Sequence, residues 1–486
     1  MMPSRSPVPP KSPSGPDHAE RLLVSTECPN CGGPLDFDEG ITAIECRHCK
    51  TRLLITGRKR LQTYSVDPRV DASSALRIAK QVLGGQGVPQ CELVFIPYYR
   101  FTAHDFFWYQ AGTLNDAGIL REAAEPPGWK VLFAEESHKA GAAGKAMSVS
   151  WGGEQQDATA IVSRTAIGLI HLTEGLDLKS RLIDRTFIAS AVDRPALFSL
   201  AVRASALKLR LLQKGIEERG TIVAVSVPPE AAVKRALQTY ERRVAMRATV
   251  CQSLSVIYFP YWLARAHDER AAIIDGVTGG VTDPDVPLSV ARELSAGAQA
   301  VPAAIELRAL TCPNCGWDFP VRPDDVAFLC SSCDRAWQLI GAELRPIEAA
   351  VADVRLQEGQ PAVYLPFWVL SKRIYGENRN FFVAAFRYKN LRNLHQLATR
   401  LTGQQPEYAT GGPRHGQMIG CFYDEDDAGR LSRFLDVRKR IGPGAQEKED
   451  PAVQKAVLTW IPFAVKGSYL IDPFLGANLL NQNMLG

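Results

Sequence analysis

One four-residue pattern of aromatic, large apolar, proline, aromatic recurs along the chain: Phe95-Ile96-Pro97-Tyr98, Tyr258-Phe259-Pro260-Tyr261, Tyr364-Leu365-Pro366-Phe367 and Trp460-Ile461-Pro462-Phe463. With 8% aromatics and 32 prolines, chance would supply on the order of 0.1 such matches, so four mark an internal repeat. Side chains of this kind alternate across the faces of a strand, and proline is tolerated at a strand start or an edge. Each copy is therefore expected to begin the first strand of a hairpin. Apolar spacing of three and four predicts a helix opened by Pro228-Pro229, with Val233, Ala236, Leu237, Tyr240 and Val244 on one face. Further helices are expected near Asp67-Pro68 or Asp71, near Asp424, and at Asp450-Pro451, each with an acidic N-cap candidate.

The flanks sort the four copies into two kinds. Copies one and three precede Phe-Phe pairs, Phe106-Phe107 and Phe381-Phe382, whereas copies two and four lead into Ile-Asp-x-x-x-Gly, at Ile274-Asp275 with Gly279 and Ile471-Asp472 with Gly476. After the second copy, Asp275-Gly276-Val277-Thr278-Gly279-Gly280 has turn chemistry.

Eight of the eleven cysteines form two sets of paired C-x-x-C: Cys28, Cys31, Cys46 and Cys49, then Cys312, Cys315, Cys330 and Cys333. Two such knuckles at this separation aim four thiolates at one tetrahedral ion, the pattern of a structural zinc ribbon. Gly32 and Gly316 suit the left-handed position that closes a knuckle, whereas Lys50 and Asp334 stand there in the second knuckles. A redox C-x-x-C is the competing reading, but doubled pairs at equal spacing favour metal. Four sulfur ligands leave no open position, so the two zinc ions are expected to be structural.

Each ribbon precedes one copy of each kind, so the chain reads as a tandem duplication of class α+β: a four-cysteine zinc ribbon, then two strand-hairpin modules with amphipathic helices, twice. The expected boundaries are a disordered tail at 1–20, ribbon one at 21–60, paired modules at 61–300, ribbon two at 301–345 and paired modules at 346–486.

At 486 residues the chain exceeds a single core. Its 46% hydrophobic and 22% charged residues are those of a globular protein. A net charge of +4 is mild for this length and names no partner. No stretch of about 18 apolar residues occurs, so no membrane span is expected. Met1 to Asp17 is rich in Pro and Ser without an apolar region, which reads as a tail rather than a signal peptide and makes a reducing cytoplasm the default.

Ribbon one, through Cys28-Pro29-Asn30-Cys31-Gly32-Gly33-Pro34-Leu35 and Cys46-Arg47-His48-Cys49, resembles the transcription-factor-IIB-type zinc ribbons fused to bacterial proteins. The segment from Tyr258 to Pro287 resembles a hairpin of the same proteins. The resemblance implies a metal fold and no particular ligand.

The aromatics Tyr98, Tyr99, Tyr261, Trp262, Phe367 and Trp368 suit either a stacking platform or a core, and the core is favoured, with Trp262 and Trp368 buried between sheet and helix. Arg47, Lys50, Arg52, Arg58, Lys59 and Arg60, with His48, form the best nucleic-acid candidate, although they also offset the charge of a four-thiolate site. The run Asp424-Glu425-Asp426-Asp427 is expected of a helix N-terminus without any cation. His104, His171, His267, His395 and His415 fit no ligand spacing, and Cys91, Cys251 and Cys421 are expected to be small buried hydrophobes. No nucleotide-binding or hydrolase motif occurs. The expected function is accordingly a non-catalytic zinc-stabilised scaffold or adaptor for a protein partner. The alternative is a nucleic-acid-binding factor using ribbon one and its basic flank.

Overall fold

The structure is a computed structural model. It describes the chain apart from residues 1–21, 85–89, 111–149, 152–153, 156–175, 199, 201–207, 213–214, 239–243, 268–269, 304, 355–359, 375, 414–415, 436–450, 475 and 486. The expected tail, Tyr240, His171, His415 and Asp450 lie outside the described residues. The architecture is α+β, with mixed sheets, five helices and two four-cysteine clusters among the described residues.

The first half runs β1 (Leu23–Glu27), β2 (Pro34–Asp38), β3 (Ala43–Glu45), β4 (Arg52–Ile55), β5 (Gln62–Ser65), α1 (Ala72–Leu83) and β6 (Gln90–Gln110). A two-residue hairpin, β7 (Ser150–Trp151) and β8 (Glu154–Gln155), stands apart from the main sheet. Then come β9 (Leu176–Ile188), β10 (Lys208–Leu211), β11 (Thr221–Ile222), α2 (Pro229–Leu237), β12 (Val244–Arg265), β13 (Ala271–Asp275), β14 (Val281–Val286) and α3 (Leu288–Leu294). The second half runs β15 (Leu307–Ala309), β16 (Ala327–Leu329), β17 (Ala336–Ile340), β18 (Glu343–Ile347), β19 (Ala349–Ala352), β20 (Ala362–Ile374), β21 (Glu377–Ala384) and α4 (Leu391–Gln404). It closes with β22 (Tyr408–Thr410), β23 (Gln417–Met418), α5 (Glu425–Leu431), β24 (Val453–Lys466), β25 (Tyr469–Ile471) and β26 (Leu480–Asn481).

The proline motifs lie on the central strands of two sheets, and within each half the two copies pair with each other. In the ten-stranded sheet β6 runs antiparallel to β12, with Pro97 opposite Tyr258 and Phe95 opposite Pro260. In the eight-stranded sheet β20 runs antiparallel to β24, with Pro366 opposite Trp460 and Tyr364 opposite Pro462. The expectation that each motif begins a hairpin strand is thus corrected, because the motifs sit inside long strands.

Proline is tolerated there because the outer neighbour changes at each one. Along β6, β11 pairs with Val94 and Phe95, and β9 takes over at Tyr98, so Pro97 falls in the gap. Along β12, β5 pairs as far as Tyr258 and β13 begins at Tyr261, which leaves Pro260 in the gap. Pro366 lies between the β23 and β21 ladders, and Pro462 between those of β19 and β25. The missing N–H falls where that edge has no ladder partner.

Both faces of these strands are covered. Ile96, Tyr98, Ile257 and Phe259 join one core and Phe95, Tyr99, Phe101, Val256 and Tyr258 the other. The second sheet divides likewise, with Leu365, Phe367, Ile461 and Phe463 on one side and Trp368, Leu370, Leu458 and Trp460 on the other. Trp262 and Trp368 are both buried, as expected. Trp262 packs with Ala75, Ala79 and Leu83 of α1 and donates from Nε1 to the Val70 carbonyl at 2.9 Å.

Local signals placed three helix starts correctly. The Asp71 carboxylate accepts from the Ser74 N–H ahead of α1, and that of Asp424 accepts from the Asp427 N–H ahead of α5. Pro228 stands at the N-cap of α2. That helix ends at Leu237, and Val244 instead opens β12. The helix expected at Asp450-Pro451 is replaced by β24, since pairing to β20 and β19 outweighs the local cap signal. Helix α4, capped by Asn390, was not anticipated.

Candidate metal centre

Every one of the four knuckles closes with the same pair of backbone bonds. Cys28 N–H donates to Gly33 O at 2.8 Å and Gly32 N–H to Cys28 O at 2.9 Å. Cys312 with Trp317 and Gly316, Cys46 with Thr51 and Lys50, and Cys330 with Arg335 and Asp334 repeat the geometry. The turn needs positive φ four residues after its first cysteine, and Gly32 and Gly316 supply 68° and 74°. Lys50 and Asp334 adopt 61° and 54°, so the bonds of the second knuckles hold a side-chain-bearing residue in the left-handed region.

The result is two compact sulfur clusters. Within each set the Sγ atoms all lie within 4.8 Å of one another. Cys28 and Cys49 are 3.8 Å apart, Cys31 and Cys46 3.8 Å, Cys312 and Cys333 3.7 Å, and Cys315 and Cys330 3.5 Å. A Zn–S bond of about 2.3 Å implies a tetrahedral S···S edge of about 3.8 Å, so the donor sets fit a zinc ion. In both sets the first and third cysteines are buried, the second exposed and the fourth half-buried.

The surroundings favour thiolate at one sulfur of each set, Cys49 and Cys333. The Thr51 hydroxyl, 3.1 Å from Cys49 Sγ, together with the Thr51 and Asn30 N–H groups, pulls the Cys49 thiol down to about 5. The Arg335 N–H brings Cys333 down to about 7 against the burial that opposes it. Although the Gly33 N–H favours its thiolate, Cys31 is pushed up to about 12 by Cys49, by burial and by the other thiols. Burial, opposed by the Cys333 and Ser332 N–H groups, pushes Cys330 up to about 12 as well. Crowding four thiols together makes the last protons hard to remove until a cation takes their place.

The two ribbons share one body. Strand β15, leading into ribbon two, pairs antiparallel with β4 of ribbon one, Leu307 opposite Ile55 and Ala309 opposite Leu53. Ala43 and Leu54 of ribbon one enter one core with Cys312, Phe319, Phe328, Cys330 and Trp337 of ribbon two. Thr42 N–H donates to Pro323 O at 2.6 Å and Gly57 N–H to Gly341 O at 2.9 Å. Meanwhile β1 and β2 join the ten-stranded sheet, β1 lying parallel to β10.

The basic candidates divide. Lys59 Nζ lies 2.6 Å from Asp424 and 3.2 Å from Asp426, and Arg58 lies 3.9 Å from Asp427. The acidic run at the start of α5 thus faces ribbon one across the halves. Burial pushes the Asp427 carboxyl up, aided by Asp424, while Lys59 and Arg58 outweigh burial at Asp424 and hold it down. Arg52 lies 4.0 Å from Asp318 and Arg60 lies over Gly341. Arg47, His48 and Lys50 remain exposed on the second knuckle.

No family model, curated protein or solved structure matches the chain.

Of the remaining candidates, His395 is half-buried, desolvation lowers its pKa, and it touches the Phe434 carbonyl at 3.1 Å and the Trp108 ring. Cys421 is buried and donates to Tyr423 O. Cys251, half-buried, sits in a bulge of β12 with φ 50°. No helix among the described residues is long and apolar enough to cross a membrane.

Proposed function

We propose that this protein is a tandemly duplicated, non-catalytic scaffold in which two structural zinc ions brace a joint between its halves and present a rigid surface to a protein partner. The fused ribbons carry this reading. Two closed four-sulfur sites, whose segments share a core through Ala43 and Leu54, suit bracing and leave no position for substrate. The aromatic rows are consumed as core, Lys59 is paired with carboxylates and Arg58 is mostly buried, which leaves Arg47 and Lys50 as a small exposed footprint for a nucleic-acid backbone.

Duplication is supported by correspondences beyond the proline registers. Ala189 N–H donates to Pro97 O and Ala385 N–H to Pro366 O, both at 2.9 Å. Tyr99 donates from its hydroxyl to Val227 O, and Trp368 from Nε1 to Tyr423 O, both at 2.8 Å. Strand β10 pairs antiparallel with β5, and β22 with β19. Each of the buried Asp275 and Asp472 accepts from backbone N–H groups inside its own turn.

Trp317 offers the partner a contact. It follows the first knuckle of ribbon two and is 59% exposed, and exposed tryptophans are frequent anchors of protein interfaces. Capture from native lysate, with mass spectrometry, should recover a protein that stays bound as salt rises and is lost on Trp317→Ala with both zinc ions retained. Recovery of nucleic acid that dissociates steeply with salt would move the assignment to the nucleic-acid alternative.

A further inference from the structure

The geometry points to a binding cavity for a small oxyanion, a carboxylate or a phosphate, where ribbon one, the first sheet and the second half meet. The cavity has a volume of about 120 Å³. Since one water requires roughly 10–15 Å³ on this scale, it holds about ten waters or a molecule of similar size, too little for a nucleotide.

Three guanidinium groups from separate parts of the chain line it. Arg100 of β6 is fully engaged, ion-paired with Glu39 and with Asp184. Arg58 and Arg387 are different. Arg58 reaches Cys251 Sγ at 3.7 Å and Asp427 at 3.9 Å, and Arg387 reaches Asp324 at 3.7 Å. The Cys251 contact is a hydrogen bond to sulfur, whereas both separations from carboxylate oxygen exceed the 2.7–3.2 Å of an N–H···O hydrogen bond. Both side chains are more than four-fifths buried. Two buried guanidiniums therefore face one polar cavity, which Glu39 and Asp324 also line, and neither makes a carboxylate hydrogen bond of ordinary length, so each retains donor capacity for an oxyanion.

The walls hold them in place. Arg387 lies over the Phe422 ring, 4.6 Å from its centroid, which fixes the plane of the fork. Opposite, the register shift between Val250 and Ser253 places Cys251, Gln252 and Ser253 at the wall. Asp427 accepts from the Cys251 N–H at 3.0 Å and so pins the bulge from the second half. Lys59, 2.6 Å from Asp424, takes the neighbouring carboxylate. An oxyanion bridging Arg58 and Arg387 would tie the halves together at a point separate from the zinc sites, and this inference does not depend on the scaffold reading.

Titration calorimetry on the zinc-loaded full chain tests it, with inorganic phosphate and malonate as probes and chloride at matched ionic strength as control. One saturable site is expected for at least one probe, and the tighter probe identifies the acceptor chemistry. Arg387→Lys keeps the charge but loses the fork and should weaken binding at least tenfold, as should Arg58→Gln, whereas exposed Arg345→Ala should leave it unchanged. If Arg58→Gln loses zinc, Arg387→Lys alone decides. No saturable binding of either probe, or equal affinity in Arg387→Lys and the parent protein, would overturn the inference.

Discussion

Replacing Trp368 by alanine tests whether the aromatic rows hold the fold or serve as a surface. The indole is fully buried among Val326, Ala398, Ala428 and Leu458, and its Nε1 donates to Tyr423 O at 2.8 Å. A buried tryptophan removes roughly 150–250 Å² from water, which at about 25 cal/mol per Å² amounts to about 4–6 kcal/mol. Alanine retains the Cβ and the surroundings relax in part, so the expected loss is about 3–5 kcal/mol. Trp368→Phe keeps a ring and forfeits the donor, and should cost roughly 1–3 kcal/mol. Trp262, 8% exposed at the α1 contact, belongs near the lower end of the alanine range. Urea titration at saturating zinc, with hydrogen exchange of the β20 amides to isolate the second sheet, measures these losses. Unchanged stability of the alanine variant, accompanied by lost partner binding, would refute the core assignment.

Three further outcomes are expected. Elemental analysis of protein purified without chelator should find two zinc ions per chain, and one or none would refute the metal assignment. Cys46→Ser should release one ion and also lower amide protection in β17 of ribbon two, because Ala43 and Leu54 share a core with Trp337 and Leu339; unaltered protection there would show the ribbons to be independent. Burial pushes the Asp325 carboxyl up to about 7 although Arg322 pulls it down. Its folded pKa thus exceeds the unfolded value of about 3.9, so its stabilisation is complete below that value and is lost as pH rises through about 7. Between pH 5.5 and 7.5 the melting temperature of the parent protein should therefore fall relative to Asp325→Asn, and parallel pH profiles would contradict this.

Features carried by neighbouring residues were legible in the sequence. The eight cysteines, the caps at Asp71 and Asp424 and the Ile-Asp-x-x-x-Gly turns all occur where their spacing placed them, because a knuckle, a cap or a turn is closed by bonds over a few residues. The strand character of the four proline motifs was legible for the same reason. Their interior position was not, since proline is acceptable there only because ladders from distant strands end on either side of it. The acidic cap candidate at Asp450-Pro451 predicts a helix where the strand Val453–Lys466 forms, because a cap signal does not report a partner strand about a hundred residues earlier.

Tertiary structure alone decided what joins the halves. Lys59 and Asp426 are separated by 367 positions, and the β4–β15 ladder by about 250. No local pattern encodes which basic side chains will meet carboxylates and which will face water, and a basic run has the same spacing in either case. The sequence determined two four-cysteine clusters able to hold a metal ion and a repeated strand motif. Packing decided that Ala43 and Leu54 of the first cysteine segment join the core of the second, that the aromatics are buried on both faces, and that arginines from the two halves line a single cavity. Contacts of that kind depend on the three-dimensional path of the whole chain, whereas the spacing of cysteines in a knuckle depends only on the backbone between them.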